Sequence, residues 1–329
     1  MPEFGCLVGE GARVPILAAG PAGIARAIEV LRAGGTVAFP TETVYGLGGL
    51  AFDRLAVARI FEIKQRPRFD PLIVHVLDRA MLEEVALELS ALAERLAKRF
   101  WPGGLTLVLG KREAVPDLVT AGAPTVAVRI PSHPVARALL AGLQAPIAAP
   151  SANPFGALSP TRAEHVAKAL GASVDLILDA GRSDHGLEST IVAFDPGPVL
   201  LRPGAIPVEA IEAVVGPLTR PREGAVLAPG RLPQHYAPRT RLQVIDPSQV
   251  PKHERTHAAA LTLCDEFPGY AAAERLSPTG DLRQAAARFF EALHALDAIG
   301  LERIDAQPLP ETGLGLAMMD RLRRAAASA

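Results

Sequence analysis

Helical and strand-like hydrophobic periods alternate along this chain, and that alternation leaves few architectures open. From Pro21 to Ala33 the apolar residues Ile24, Ile28 and Leu31 recur at helical spacing. Gly34-Gly35 stops that helix, and Thr36-Val37-Ala38-Phe39-Pro40 then reads as a buried strand followed at once by the polar loop Thr41-Glu42-Thr43. Val57, Ile60 and Phe61 mark one face of a helix from about Arg54 to Lys64, which Arg66-Pro67 ends because a proline disfavours helix in the residue before it. Strands are predicted at 71–76, 105–109, 126–130, 147–149, 176–179, 190–194 and 199–201, with helices at 89–100 and from about Arg162. Thr161 would cap the latter, with Glu164 as its capping-box partner. Helix alternating with strand implies an α/β domain on one sizeable sheet.

A second unit follows. From Gly216 to Thr240 the texture turns to Pro, Gly and Arg without period, as a linker does. Beyond it, strands near 242–245, 259–263 and Ile304 and helices at 282–298 and 317–327 predict a smaller α/β unit. The chain thus divides into 16–215, a linker at 216–240, and 241–329. A formal net charge of −1 gives no global attraction for duplex nucleic acid. Cys6 and Cys264 lack any zinc or disulfide spacing, there is no basic leader, and no apolar run reaches about 18 residues, so a cytoplasmic protein outside the membrane is expected.

Unusual polar residues fall at strand ends, where open α/β sheets place ligands. Thr41 to Gly46 follows the first long strand and Ser151-Ala152-Asn153-Pro154 follows another; both loops can face one crevice or serve as ordinary turns. In Thr125-Val126-Ala127-Val128-Arg129-Ile130 the period of two puts Thr125, Ala127 and Arg129 on the face opposite the valines. An arginine there either reaches solvent at the rim or pairs with an anion. Lys64-Gln65-Arg66-Pro67-Arg68 sets three cations beside a helix C-terminus, suiting either the helix dipole or a polyphosphate. His75, alone on a strand, fits a core position. No His or Cys spacing suggests a bound transition metal, no P-loop is present, and no Ser-His-Asp or Cys-His arrangement can be picked out with any specificity. Gly46-Leu47-Gly48-Gly49-Leu50-Ala51 matches a dinucleotide fingerprint loosely but follows a polar loop rather than a strand, which argues against it.

Taken together, Pro40-Thr41-Glu42-Thr43-Val44-Tyr45-Gly46-Leu47, Lys64-Gln65-Arg66-Pro67, Pro71-Leu72-Ile73-Val74-His75 and Ser151-Ala152-Asn153 resemble the threonylcarbamoyl-AMP synthases of the Sua5/YrdC family. Ala228-Pro229-Gly230, His235-Tyr236-Ala237-Pro238, Gly313 to Ala317 and Asp320-Arg321-Leu322 resemble the Sua5 subfamily, which adds a C-terminal domain. The resemblance implies a YrdC-like α/β domain, a large twisted sheet with a concave cavity, plus a smaller Rossmann-like α/β domain. It implies that Thr43, His75, Arg129, Ala149 and Ser189 hold L-threonine, with Arg129 on its carboxylate. Lys64 and Arg66 would be catalytic, and the same two with Asp70, Thr125, Ser151, Asn153, Ser159, Arg202, His235 and Tyr236 would surround ATP.

Thr125 and Arg129, roughly 13 Å apart at strand rise, suit a ligand with adenylate at one end and an amino acid at the other. The family more commonly carries Asn where this chain has Asp70, whose carboxylate would either repel a phosphate or help hold magnesium. The implied reaction joins L-threonine, bicarbonate or CO2, and Mg2+-bound ATP. It yields threonylcarbamoyl-AMP for N6-threonylcarbamoyladenosine in tRNA, with hand-over to a tRNA threonylcarbamoyl-transferase complex. The linker carrying His235 and Tyr236 is expected to fold over the cavity as a lid, unless it is a passive tether. A double-stranded RNA-binding module and a carbamoyl-adenylate-forming domain are the rival readings.

Overall fold

The structure, a computed structural model, describes residues 14–221 and 235–327. Ten strands build the first sheet: β1 (Ile16–Ala18), β2 (Val37–Phe39), β3 (Gly46–Leu50), β4 (Ile73–His75), β5 (Leu105–Gly110), β6 (Thr125–Arg129), β7 (Ile147–Ala148), β8 (Leu176–Asp179), β9 (Thr190–Ala193) and β10 (Val199–Arg202). Their order is β1-β8-β2-β3-β7-β4-β6-β5-β9-β10, with parallel and antiparallel neighbours mixed. One face carries Val74, Val126, Val128, Leu107 and Val192 into a core that also takes Val57 and Ile60, Leu96, Leu139 and Val166 from the helices. The other face follows from strand alternation. Register sets Ile73 beside Ala127, Ala127 beside Val108, and His75 beside Arg129, so an apolar patch of Ile73, Val108, Ala127, Ile191, Ala193, Val199 and Leu201 ends at polar residues.

The second sheet is all parallel, ordered β11-β14-β12-β13, from β11 (Arg241–Val244), β12 (Ala258–Thr262), β13 (Ala272–Arg275) and β14 (Arg303–Ala306). Helices Leu282–Ile299 and Leu314–Ala326 bury Phe289, Phe290, Leu293, Met318 and Leu322 with it. This core crosses the boundary between the units, because Val44, Leu158, Leu187 and Tyr236 pack into the same cluster. Apolar burial of that kind fixes the second unit against the loops of the first.

Several expectations need correction. The glycine-rich 46–50 run is itself strand β3, an antiparallel hairpin partner of β2. Small residues fit there: a side chain at Gly48 would stand 2.6 Å from the Phe39 ring and 2.8 Å from Ile147. The helix after Thr161 runs Ala163–Leu170 with Arg162 at its N-cap and no side-chain cap bond. The proposed capping box is absent because Thr161 is buried and its N–H donates instead to His165 Nδ1 at 3.3 Å. Helix Arg54–Lys64 ends through Gln65, whose left-handed conformation (φ 52°) turns the chain before the proline acts. Helix Arg79–Val85 and strand β13 were not foreseen. Ala228-Pro229-Gly230, the centre of the expected lid, lies outside the described residues.

Candidate active site

A pocket opens where β4, β6, β9 and β10 end against the loops after β2 and β7. It is lined by Thr43, Arg66, His75, Arg129, Ala149, Ser151, Ser189, Arg202, His235 and Tyr236 among the expected residues, and also by Glu188. Arg129 does not reach solvent. Its Nη2 stands 2.6 Å from Glu42 Oε1, its Nη1 donates to Thr43 Oγ1 at 2.7 Å, and its Nε donates to Gly103 O at 3.0 Å. The arginine pairs with an anion, but an internal one, and other N–H donors of the guanidinium remain for a ligand. Burial alone would raise the Glu42 carboxyl, yet the Arg129 charge and hydrogen bond outweigh it and hold Glu42 at about 2.

The opposite wall is cationic. Arg202 donates from Nε and Nη2 to Ser189 O at 3.1 and 2.9 Å and from Nη2 to Ser189 Oγ at 3.1 Å. Ser189 Oγ lies 2.7 Å from Thr106 Oγ1 on the same sheet face. Arg66 donates to the carbonyls of Asp70 and Pro71 and meets Asp70 Oδ2 at 2.9 Å. Asp70 is therefore a buried partner of Arg66. Its carboxyl is pushed up by burial, against the pull of Arg66, Lys64 and Arg202. Burial, and then their mutual repulsion, lower the proton affinity of Lys64; burial likewise depresses Arg66 and Arg202. His235 is lowered by burial and then by Arg66, Lys64 and Arg202. So many cations held out of water favour an arriving anion.

Four expected residues stand just behind this lining. Lys64 Nζ donates to Ser151 O at 2.6 Å and to Asn153 O, tying that loop to helix Arg54–Lys64. Asn153 Nδ2 bonds the carbonyls of Pro154 and Ala157, while its Oδ1 is buried without a partner. Ser159 donates to Glu188 Oε1 at 2.5 Å, and Asp70 sits on Arg66 as described. Thr125 is apart from them, in a second cleft with Ser90, Val108, Ala193 and Asp195 across the apolar patch.

Glu42, Thr106, Glu188 and Arg321 were not assigned from sequence. Arg321 left a signal, since it falls on the apolar face of its helix with Ala317 and Ala325. Among the described residues no group of three or more His, Cys, Asp or Glu could hold a metal ion, and no helix is long and apolar enough to cross a membrane.

His75 is buried, and desolvation with the nearby Arg129 charge lowers its pKa from 6.5 to about 3. A neutral native histidine stabilises the fold fully above about pH 6.5, and that contribution falls away as pH drops toward 3 because the unfolded chain takes up the proton. Between pH 7 and 5 the loss from this residue is about 2 kcal/mol. Urea unfolding at both pH values should therefore show a smaller acid loss in His75→Gln than in the parent protein; equal losses would refute the assignment.

The Sua5–YciO–YrdC family, described as "Telomere recombination", matches residues 29–204, and the "Threonylcarbamoyl-AMP synthase, C-terminal domain" family matches 206–327. The chain is 43% identical to the threonylcarbamoyl-AMP synthase of Pyrococcus abyssi over 90% of its length and 91% of the relative's. It is 42% identical to that of Bacillus subtilis over 92% of each chain. The crystal structure of P. abyssi Sua5 complexed with L-threonine superposes with a TM-score of 0.89 at 39% identity, covering 96% of this chain and 98% of that one.

Proposed function

The chain belongs to the Sua5/YrdC family, and from that membership we propose that it joins L-threonine, bicarbonate or CO2, and ATP into threonylcarbamoyl-AMP with release of pyrophosphate. The carrying observation is the pocket's charge layout. Arg129, braced by Glu42, marks one end, while Arg66 and Arg202, with Lys64 behind, crowd the other. An amino acid carboxylate suits the first end and a polyphosphate the second. The apolar patch toward Thr125 offers a surface for the adenine ring.

The reaction needs no protein nucleophile. Threonine's neutral amine adds to CO2 and gives up a proton to solvent, forming an N-carboxylate, one of whose oxygens attacks the α-phosphorus of ATP as the bond to the pyrophosphate oxygen breaks and pyrophosphate leaves. Arg66 and Arg202 hold the phosphates and neutralise the charge that builds on them, so positioning and electrostatics supply the rate. Lys64 fixes the Ser151–Asn153 loop that faces them. Glu42, Asp70 and Glu188 are each paired with an arginine, so the donors near the pocket suit a magnesium ion carried on the phosphates better than a protein-built cage. Such an ion supplies further charge neutralisation when bound. His235 and Tyr236, buried against Phe155 and Phe290, close one side and exclude water from a labile carbamate and mixed anhydride. The product would pass in the cytoplasm to a tRNA threonylcarbamoyl-transferase complex for N6-threonylcarbamoyladenosine formation.

The test is pyrophosphate release from Mg-ATP and bicarbonate with each amino acid in turn. Threonine alone should drive release. Release driven by carbamoyl phosphate instead, or salt-sensitive RNA binding without any turnover, would replace this reading with one of its rivals.

A further inference from the structure

An arginine of the second unit reaches the pocket from behind. Arg321, on helix Leu314–Ala326, is 0% exposed. Its Nε and Nη2 both donate to Glu188 Oε2 at 3.1 Å, and its Nη1 donates to Pro203 O at 2.7 Å and Asp320 Oδ2 at 2.9 Å. The guanidinium also stands 5.0 Å from the centre of the Tyr236 ring. Glu188 and Tyr236 line the pocket, and Ser159 takes the other Glu188 oxygen at 2.5 Å.

Two features of the pocket need such support. Tyr236 has φ 65°, a left-handed conformation that costs a bulky residue and persists only where the surroundings hold it. Its ring is held between His235 at 4.0 Å, Phe290 at 5.9 Å and Arg321. Glu188 places a carboxylate in a pocket read as a phosphate site, where an uncompensated negative charge would repel the nucleotide and draw Arg202 away.

Resting on the synthase reading, we propose that Arg321 is a positioning residue for the reaction: it occupies the Glu188 carboxylate and holds Tyr236, leaving the Arg202–Ser189 wall turned to the phosphates. It touches no substrate. The second unit is then a working part of the nucleotide site, supplying through one helix the buried ion-pair partner of Glu188.

The experiment measures KM for Mg-ATP and for threonine in the full chain, in Arg321→Met and in Arg321→Met/Glu188→Gln, with thermal unfolding of each. Arg321→Met should raise KM for ATP about tenfold or more with KM for threonine within about twofold, and the double variant should recover most of that loss, because the unpaired charge is gone. A merely structural arginine predicts no such split between substrates. If Arg321→Met does not fold, the double variant alone decides: a KM for ATP within about fivefold of the parent supports the role, and a larger rise overturns it. An unchanged KM for ATP in Arg321→Met, or a double variant no better than the single, also overturns it. Parent turnover with threonine separates the two conclusions. With that turnover intact, a failed variant prediction removes the role of Arg321 alone; without it, the synthase reading fails and the role with it.

Discussion

Arg129→Ala is expected to lower kcat/KM for threonine about a thousandfold, the largest effect of any single change in the pocket. On the proposed reading the guanidinium is the cation at the amino acid end, and its orientation is fixed by Glu42, Thr43 and Gly103. Removing it also strands the Glu42 carboxylate, 2% exposed, at a cost of about 3–5 kcal/mol. The two losses separate through pH. In the parent protein Glu42 is held at about 2, below its ordinary 4.5, so its stabilising contribution is complete above pH 4.5 and is lost as pH falls toward 2. Without Arg129, burial pushes Glu42 up against only the backbone hydrogen bonds at Glu42 and Ser132, so the variant should regain stability relative to the parent as pH falls from 7 to 5. Urea unfolding at several pH values checks that reversal. In Arg129→Ala/Glu42→Gln the neutral-pH stability should return while threonine turnover stays lost. Return of both would reduce Arg129 to a structural residue.

Lys64→Met should lower kcat/KM for ATP about a hundredfold while changing stability little. Two opposing terms set the stability. The Asn153 carbonyl loses its donor, at about 1–3 kcal/mol for a buried group left unpaired, while the Ser151 carbonyl keeps the Asn153 N–H at 3.1 Å. Against this, a buried ammonium whose proton affinity is depressed by burial and by Arg66 is no longer held out of water. The terms oppose each other, so the fold should survive. The site should not, because the loop carrying Ser151 loses its tie to the helix and the end proposed for the phosphates loses a charge. Steady-state kinetics in ATP at saturating threonine, with thermal unfolding as a control, tests this. A fall of less than about threefold would show that the loop holds its shape without the lysine.

Local periodicity was enough to place most strands, and it put Arg129 on the face away from Val126 and Val128, since side chains alternate whatever the neighbours are. Polar loops at strand ends marked Thr43 and Ser151, both of which line the pocket. The resemblance drew on the same loops. Periodicity failed at β3, where glycine replaces the branched residues that usually announce a strand because Phe39 and Ile147 leave no room for side chains at Gly48.

What only the tertiary structure decided is who meets whom. Nothing local shows that β8 pairs between β1 and β2, or that β7 pairs between β3 and β4. The arginines were visible as cations, but their partners were not: Glu42 for Arg129, Asp70 for Arg66 and Glu188 for Arg321. Arg129 with Glu42 and Arg321 with Glu188 join distant stretches of chain, whereas Arg66 and Asp70 pair across one local turn that the rest of the fold buries. The face a side chain takes is a property of its own backbone and is written in neighbouring residues. Its partner is set by sheet order and domain packing, which depend on the whole chain at once.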